Sequence, residues 1–432
     1  MFGMFRNLIP GTTPDLTDAR EYFPSLEQVH EGNPVVFFDN PGGTQIAQQV
    51  MEAMQDYLLY ANSNTHGAFI TSQRTDMIIQ EARQAMADFL NCAPDEIVFG
   101  ANMTTLTFAF SRALAKRFSP GDEIVITMLD HDANIAPWRA IARDNNLIIR
   151  QIDIHPETGA LDMEDAKAKI TDKTKLVAFG YASNALGIIN DVEALIQLAH
   201  NAGALCYVDA VQFAPHGPID VQKLDCDFLV CSAYKFFGPH VGILFGKKTL
   251  LDDIQPYKVA PAGNETPDKF ETGTLAHELL AGLLGAIDYL SLVGSTLSNP
   301  AADIASAYSG RRRSLKIAMG AIMAYERMLS NYMLTSLSIV RGVTIYGPQN
   351  PEDVSDRVPT FAIRVKNKSP RVLSETLAAQ GVFAWDGNYY ALDLMNRLGL
   401  EDSGGALRLG LAHYNTTEEI NRCISILQGA SA

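Results

Sequence analysis

Cysteine is scarce in this sequence: five residues in 432, Cys92, Cys206, Cys226, Cys231 and Cys423, none in a CxxC pair. An odd, scattered set excludes a disulfide framework and zinc knuckles, and it suits reduced thiols in the cytoplasm. Long apolar runs are lacking too. The stretch from Met1 to Pro10 is too short for a signal peptide, and no segment approaches the roughly 18 apolar residues of a membrane span. Positive charge is in deficit, with 34 Lys+Arg against 49 Asp+Glu and a net charge of −15, which disfavours broad binding to nucleic acid or an anionic membrane. Gly and Pro are spread thinly and no repeat of solenoid period is visible, so collagen-like, low-complexity and repeat architectures are excluded. What is present is a globular composition, 47% hydrophobic and 19% charged, in a chain long enough for about two or three domains.

From about Gln45 to Thr249, amphipathic helical stretches alternate with short β-branched runs, the pattern of stacked βα units and a mostly parallel sheet. Seven strands are predicted: Ile97 to Phe99, Glu123 to Thr127, Leu147 to Ile152, Lys175 to Gly180, Leu205 to Asp209, Phe228 to Cys231 and Val241 to Phe245. Helices are predicted at Thr104 to Lys116, Ala133 to Asp144, Met163 to Ile170 and Val192 to Ala202. After Thr249 the alternation stops. A loop rich in Pro and Gly, Pro256 to Gly273, leads to long helices at Glu278 to Leu292 and Ser309 to Leu329, and residues from Val343 onward read as a smaller α+β unit.

Lys235 lies between two apolar strand candidates, in Cys231-Ser232-Ala233-Tyr234-Lys235-Phe236-Phe237-Gly238-Pro239. Burying an ammonium is costly, and a desolvated lysine becomes a neutral nucleophile able to form a Schiff base. On this segment alone, a lysine reaching out of a turn fits equally well. Asp209 ends the apolar run Leu205-Cys206-Tyr207-Val208, where the carboxyl edge of a parallel sheet presents it to a ligand crevice. A carboxylate there can hold a pyridine nitrogen protonated, although an Asp at a strand end is more often a turn cap. Asn102-Met103-Thr104-Thr105 follows a strand and opens a helix, an anion site by dipole and free N–H groups and equally an ordinary N-cap. The stretch Gly242 to Thr249 is superficially like a P-loop but has the wrong glycine spacing. Asp130-His131-Asp132 lacks a second histidine at ligand spacing, so no metal is expected.

With these residues in order, the chain resembles the cysteine desulfurase-like branch of the class V aminotransferase group of pyridoxal-phosphate enzymes. The resemblance runs nearly end to end. It is carried by Asp209-Ala210-Val211-Gln212, His216, Asp220 to Phe228, Ser232 to Pro239, His131-Asp132-Ala133-Asn134 with Pro137-Trp138, Ser183-Asn184-Ala185-Leu186-Gly187, Phe270-Glu271-Thr272-Gly273-Thr274, and Arg408 followed by Tyr414-Asn415-Thr416. It implies a fold type I architecture: an N-terminal segment over 1–30, a large cofactor-binding α/β domain over 31–295 with a mostly parallel seven-stranded sheet, and a small α+β domain over 296–432. Lys235 is implied to hold pyridoxal 5'-phosphate and shuttle the Cα proton, Asp209 to pair with its ring nitrogen, Gln212 with its ring oxygen, and His131 to stack on the ring. Thr104, Thr105, Ser232 and, across a homodimer interface, Thr274 are implied to hold the phosphate, with Asn184 and Arg408 orienting an amino acid substrate.

The departures bear on the reaction. Desulfurases of this group carry a persulfide-forming cysteine on a flexible loop ahead of the substrate arginine. Here the stretch reads Ala384-Trp385-Asp386-Gly387-Asn388-Tyr389-Tyr390-Ala391, and Tyr390 falls where that cysteine would be; the aromatic cluster, with Tyr390 as a substrate-binding residue, can instead line a substrate pocket, and plain loop packing fits equally well. Tyr234 stands where many desulfurases have a histidine. The expected activity is desulfurase-like carbon–sulfur cleavage or a related β-elimination without a cysteine carrier. Epimerisation and transamination by the same fold are the alternatives, and a catalytically inactive cofactor- or partner-binding protein is the alternative of another class.

Overall fold

A computed structural model describes residues 14–296, 305–352 and 354–431. The run from Met1 to Pro10 lies outside the described residues. The large sheet has seven strands: β1 Ile97–Gly100, β2 Glu123–Thr127, β3 Ile148–Ile152, β4 Thr174–Gly180, β5 Leu205–Asp209, β6 Phe228–Ser232 and β7 Gly242–Gly246. Their order across the sheet is β1-β7-β6-β5-β4-β2-β3. All pairs are parallel except those of β7, which runs antiparallel to both β6 and β1. This is the mostly parallel seven-stranded sheet expected.

Both faces of the sheet are covered, which is why its strands are nearly continuous apolar runs. Side chains alternate between the faces. Ile124 and Ile126 join a core with Phe110, Trp138 and Ile141, from α3 Met103–Leu114 and α4 Ala136–Asn145. Val125 faces the other core. That second core is closed by α1 Gln48–Tyr60, α2 Ile70–Leu90, α5 Met163–Lys169, α6 Val192–Asn201, α7 His277–Thr296 and α8 Gly310–Ser338.

One expectation needs correcting: α7 is long and apolar enough to cross a membrane. In the fold its Leu280, Leu283, Ile287 and Leu290 are buried, and it packs on α1, α2 and α8 as a core helix.

The C-terminal part is a four-stranded antiparallel sheet, β8 Val343–Tyr346, β9 Thr360–Val365, β10 Trp385–Gly387 and β11 Ala406–Gly410, ordered β8-β9-β11-β10. Helices α9 Pro370–Ala378 and α10 Thr417–Ser431 pack with it. The stretch just after residue 30 ties into this unit: Val36–Phe37 pairs in parallel with Val382–Phe383, and Asp39 bridges to Gly410. These contacts bring the turn Asn40-Pro41-Gly42-Gly43-Thr44 between the two sheets.

Candidate active site

The carboxyl ends of β1, β2, β4, β5 and β6 all open on one edge of the sheet, where ligands of open α/β folds bind. A cavity of about 660 Å³ lies there, roofed by residues 385–390 and by Arg408 from the small sheet, and bounded by Pro41 and Gly42. Because β7 runs antiparallel, it enters at this same edge. Gly242 admits it, since a Cβ there would lie 2.4 Å from the Asn102 carbonyl carbon at the start of α3.

Lys235 sits in the turn directly after β6 and is buried. The turn is clamped from the Asn40–Thr44 segment: Thr44 N donates to the Tyr234 carbonyl at 3.0 Å, and Phe237 N donates to Thr44 Oγ1 at 2.9 Å. Phe237 is thereby held in the left-handed region at φ 68°. Lys235 Nζ donates to the Pro41 carbonyl. Burial, joined by the Arg408 charge, pushes the ammonium down to about 7, against the pull of Asp209. The amine is therefore substantially neutral near pH 7 and nucleophilic.

Asp209 closes β5 inside the cavity, and Oδ1 accepts from Val211 N at 2.9 Å. Burial raises its carboxyl to about 6, while that N–H and Lys235 favour the anion. Gln212 lines the cavity with its Nε2 on Thr360 Oγ1 at 3.1 Å. His131 Nδ1 accepts from Ala133 N at 3.0 Å, fixing the imidazole orientation, and burial with the Lys235 charge lowers it to about 4. The ring is neutral at physiological pH.

At the helix start the residues expected at the phosphate occupy different places. Asn102 is the N-cap of α3, its Oδ1 accepting from Thr105 N and Thr105 Oγ1, both at 2.9 Å. Ser232 Oγ accepts from Met103 N at 3.0 Å. Thr104 and Ser232 line the cavity, whereas Thr105 is turned to its cap and Thr274 lies on an exposed segment away from it.

Arg408 is buried, with one guanidinium N–H on the Asn184 carbonyl at 2.9 Å and its plane over the Tyr389 ring at 4.3 Å. Its Nε has no partner. Asn184 Nδ2 donates to the Tyr389 carbonyl at 2.8 Å, so this residue braces the roof as well as lining the cavity. Tyr390 stacks on His131, with ring centroids 5.4 Å apart. None of the five cysteines lines the cavity, and all are buried.

Sequence reasoning missed several contributors. Asp130, noted only for lacking metal-ligand spacing, is buried in the cavity wall, its two oxygens accepting from Gly180 N at 2.7 Å and Asn134 Nδ2 at 3.1 Å. Burial and the nearby Asp209 charge raise its carboxyl well above the usual range. Thr44 was also unassigned, whereas Trp385 belongs to the aromatic cluster already read as able to line a substrate pocket. The signal for Thr44 was local: an Asp-Asn-Pro-Gly-Gly turn directly after the apolar run Val35 to Phe38. At the opposite end of β5, His200, Cys206 and Asp227 converge within 4.8 Å. Their atoms are mutually engaged, Asp227 Oδ2 accepting from Cys206 N at 2.9 Å and Oδ1 from Lys247 at 3.0 Å.

Comparison with known proteins agrees with this geometry. The family described as Aminotransferase class-V matches residues 36–312 and 306–423. A probable cysteine desulfurase from Synechocystis sp. is 32% identical over 95% of this chain and 94% of its own length. The aminotransferase-like protein FGM3 of Gibberella zeae is 32% identical over 96% and 98% respectively. The apo structure of a cysteine desulfurase from Thermococcus onnurineus NA1 superposes with a TM-score of 0.83 at 27% identity, covering 98% of this chain and 99% of that one.

The side chains present fit pyridoxal 5'-phosphate. A buried amine of lowered basicity, a carboxylate at a strand end, a flat neutral imidazole and a helix N-terminus flanked by hydroxyls share one cavity. With that donor set in place, the chain belongs to the class V aminotransferase family, in its cysteine desulfurase-like branch, and is an enzyme that uses pyridoxal 5'-phosphate.

Proposed function

We propose that this enzyme cleaves a carbon–sulfur bond, or carries out a related β-elimination, on an amino acid and does so without a cysteine persulfide. The observation that carries the reading is Tyr390 in the roof of a cavity that no thiol lines. The names of the similar proteins support the carbon–sulfur half.

In this reading Lys235 is the covalent anchor and the group that holds and moves the Cα proton at Nζ. Asp209 and Gln212 contact the cofactor ring, and His131 lies against it. Thr104, Thr105, Ser232 and Thr274 of the second copy serve the phosphate. The cofactor supplies an electron sink for negative charge at the substrate Cα. Arg408 takes the substrate carboxylate through a guanidinium that is already desolvated and oriented by Asn184 and Tyr389.

We also assign a homodimer, small-molecule amino acid substrates, no nucleic acid or membrane partner, a cytoplasmic location, and units divided near residues 30 and 295. The exposed apolar surface of Met51, Leu58, Leu59 and Tyr60 on α1 with Phe69, Ile70 and Met77 at α2 supports a second copy, and the exposed Thr274 supports a shared site.

The test is a product assay on the cofactor-loaded protein with L-cysteine, L-cystine and other amino acids. Sulfide with pyruvate upholds β-elimination, and alanine with sulfur that appears as sulfide only when dithiothreitol is added as reductant upholds desulfuration. A D-isomer or a keto acid without sulfide replaces this reading with epimerisation or transamination. Inert protein across the panel favours a binding role.

A further inference from the structure

Trp385 opens β10 and pairs in register with Arg408 on β11. Directly opposed residues of an antiparallel pair project to the same face, so the indole stands beside the guanidinium, and both line the cavity. Gly42 accommodates it from below: a Cβ there would lie 2.5 Å from Trp385 Nε1. Across the cavity the Tyr390 ring is fixed on His131 by its backbone. Tyr390 O accepts from Asp132 N at 2.7 Å, Tyr390 N donates to Asn388 Oδ1 at 3.0 Å, and Tyr389 and Tyr390 are both left-handed, at φ 56° and 59°. Two consecutive residues in that region are costly and persist only where surrounding contacts hold them. Yet Trp385 is 53% and Tyr390 71% exposed, so two large aromatic faces stand held and uncovered at the cavity mouth.

We infer that Trp385 and Tyr390 wall a side-chain subsite and that the substrate is a cysteine S-conjugate, an amino acid whose sulfur carries an aromatic or large apolar group. The inference rests on the carbon–sulfur reading and names its substrate class. With the carboxylate on Arg408, the side chain of a bound amino acid meets these rings, whose flat faces reward a second ring by stacking as well as by burial. A volume of about 660 Å³ is ample for a substrate beyond cysteine itself. The chemistry balances without an oxidant or reductant. The Cβ–S bond breaks as Lys235 takes the Cα proton, sulfur leaves with the bonding pair and is protonated to a thiol, and one water converts the remaining three carbons and nitrogen to pyruvate and ammonium.

The experiment uses the cofactor-loaded enzyme with S-benzyl-, S-phenyl- and S-methyl-L-cysteine and L-cysteine, measuring thiol or sulfide and pyruvate. The aromatic conjugates should exceed the other two at least tenfold in kcat/KM. Trp385→Ala should remove most of that margin through KM, a change on the order of tenfold. Trp385→Phe should restore it, and Gly42→Ala, which displaces the indole, should lower it. Equal kcat/KM for S-methyl-cysteine or L-cysteine, or a margin untouched by Trp385→Ala, overturns the inference. A binding arm separates it from the reading beneath. Trp385 is one of two tryptophans and the other, Trp138, is buried, so quenching of the exposed indole reports the subsite. If no conjugate yields a thiol, the carbon–sulfur reading and the named substrate class fall together. S-benzyl-cysteine quenching at a tenfold lower concentration than S-methyl-cysteine then upholds the aromatic subsite alone, and equal quenching overturns that too.

Discussion

The Tyr390 ring lies on the His131 imidazole, 24° from parallel, while its backbone carbonyl accepts from Asp132 N one residue further on. Ring and backbone thus grip the same turn, and the cavity roof at Tyr390 is pinned to the residues that follow β2. A pinned phenol can shape a pocket but cannot carry sulfur.

Turnover of L-cysteine should accordingly leave no sulfur on the protein. Intact-mass measurement after turnover checks this, and an added sulfur atom would contradict it. The five native cysteines are buried, so a thiol reagent should modify the native enzyme slowly, while Tyr390→Cys should gain one fast-reacting equivalent at the exposed roof position.

Uptake of the cofactor should follow the neutral fraction of Lys235. With the amine lowered to about 7 by burial and the Arg408 charge, the rate of appearance of visible absorbance should rise about tenfold per pH unit below 7 and level off above it. Stopped-flow mixing of apo protein with pyridoxal phosphate measures this. A plateau reached only near pH 10 would show an ordinary lysine, and Lys235→Ala should give no such absorbance.

Asp209→Asn should stabilise the apo protein at pH 8. Burial raises the folded carboxyl to about 6 from 3.8, so the folded state binds the proton more tightly than the unfolded one. The stability this gives is complete below the unfolded value and lost as pH rises through about 6, leaving a charge penalty of about 3 kcal/mol above it. The advantage of Asn should vanish below pH 4. Urea unfolding of both apo proteins at pH 8 and pH 3.8 decides the sign.

Thr44→Val removes the hydroxyl that accepts from Phe237 N and should cost about 1–2 kcal/mol by leaving that buried donor unpaired. Because Lys235 sits in the clamped turn, the pH midpoint of cofactor uptake should shift as well. Thr44→Ser, which keeps the acceptor, should restore both, and a stability loss with an unchanged midpoint would limit Thr44 to a structural role.

The sequence alone determined the large sheet. Its strands are buried on both faces, so runs such as Glu123 to Thr127 and Leu205 to Asp209 announce themselves and end where the structure ends them. The same locality placed Lys235 and Asp209 at strand ends. Only the tertiary structure decided the rest, because it depends on partners far along the chain. The half-exposed edge strand β8 and the three-residue β10 carry little pattern of their own and exist through β9 and β11. The Thr44 clamp spans 193 residues, and the Trp385–Gly42 contact joins opposite ends of the chain. Periodicity records which way a side chain faces; which distant backbone it meets there is settled only when the two sheets close on one cavity.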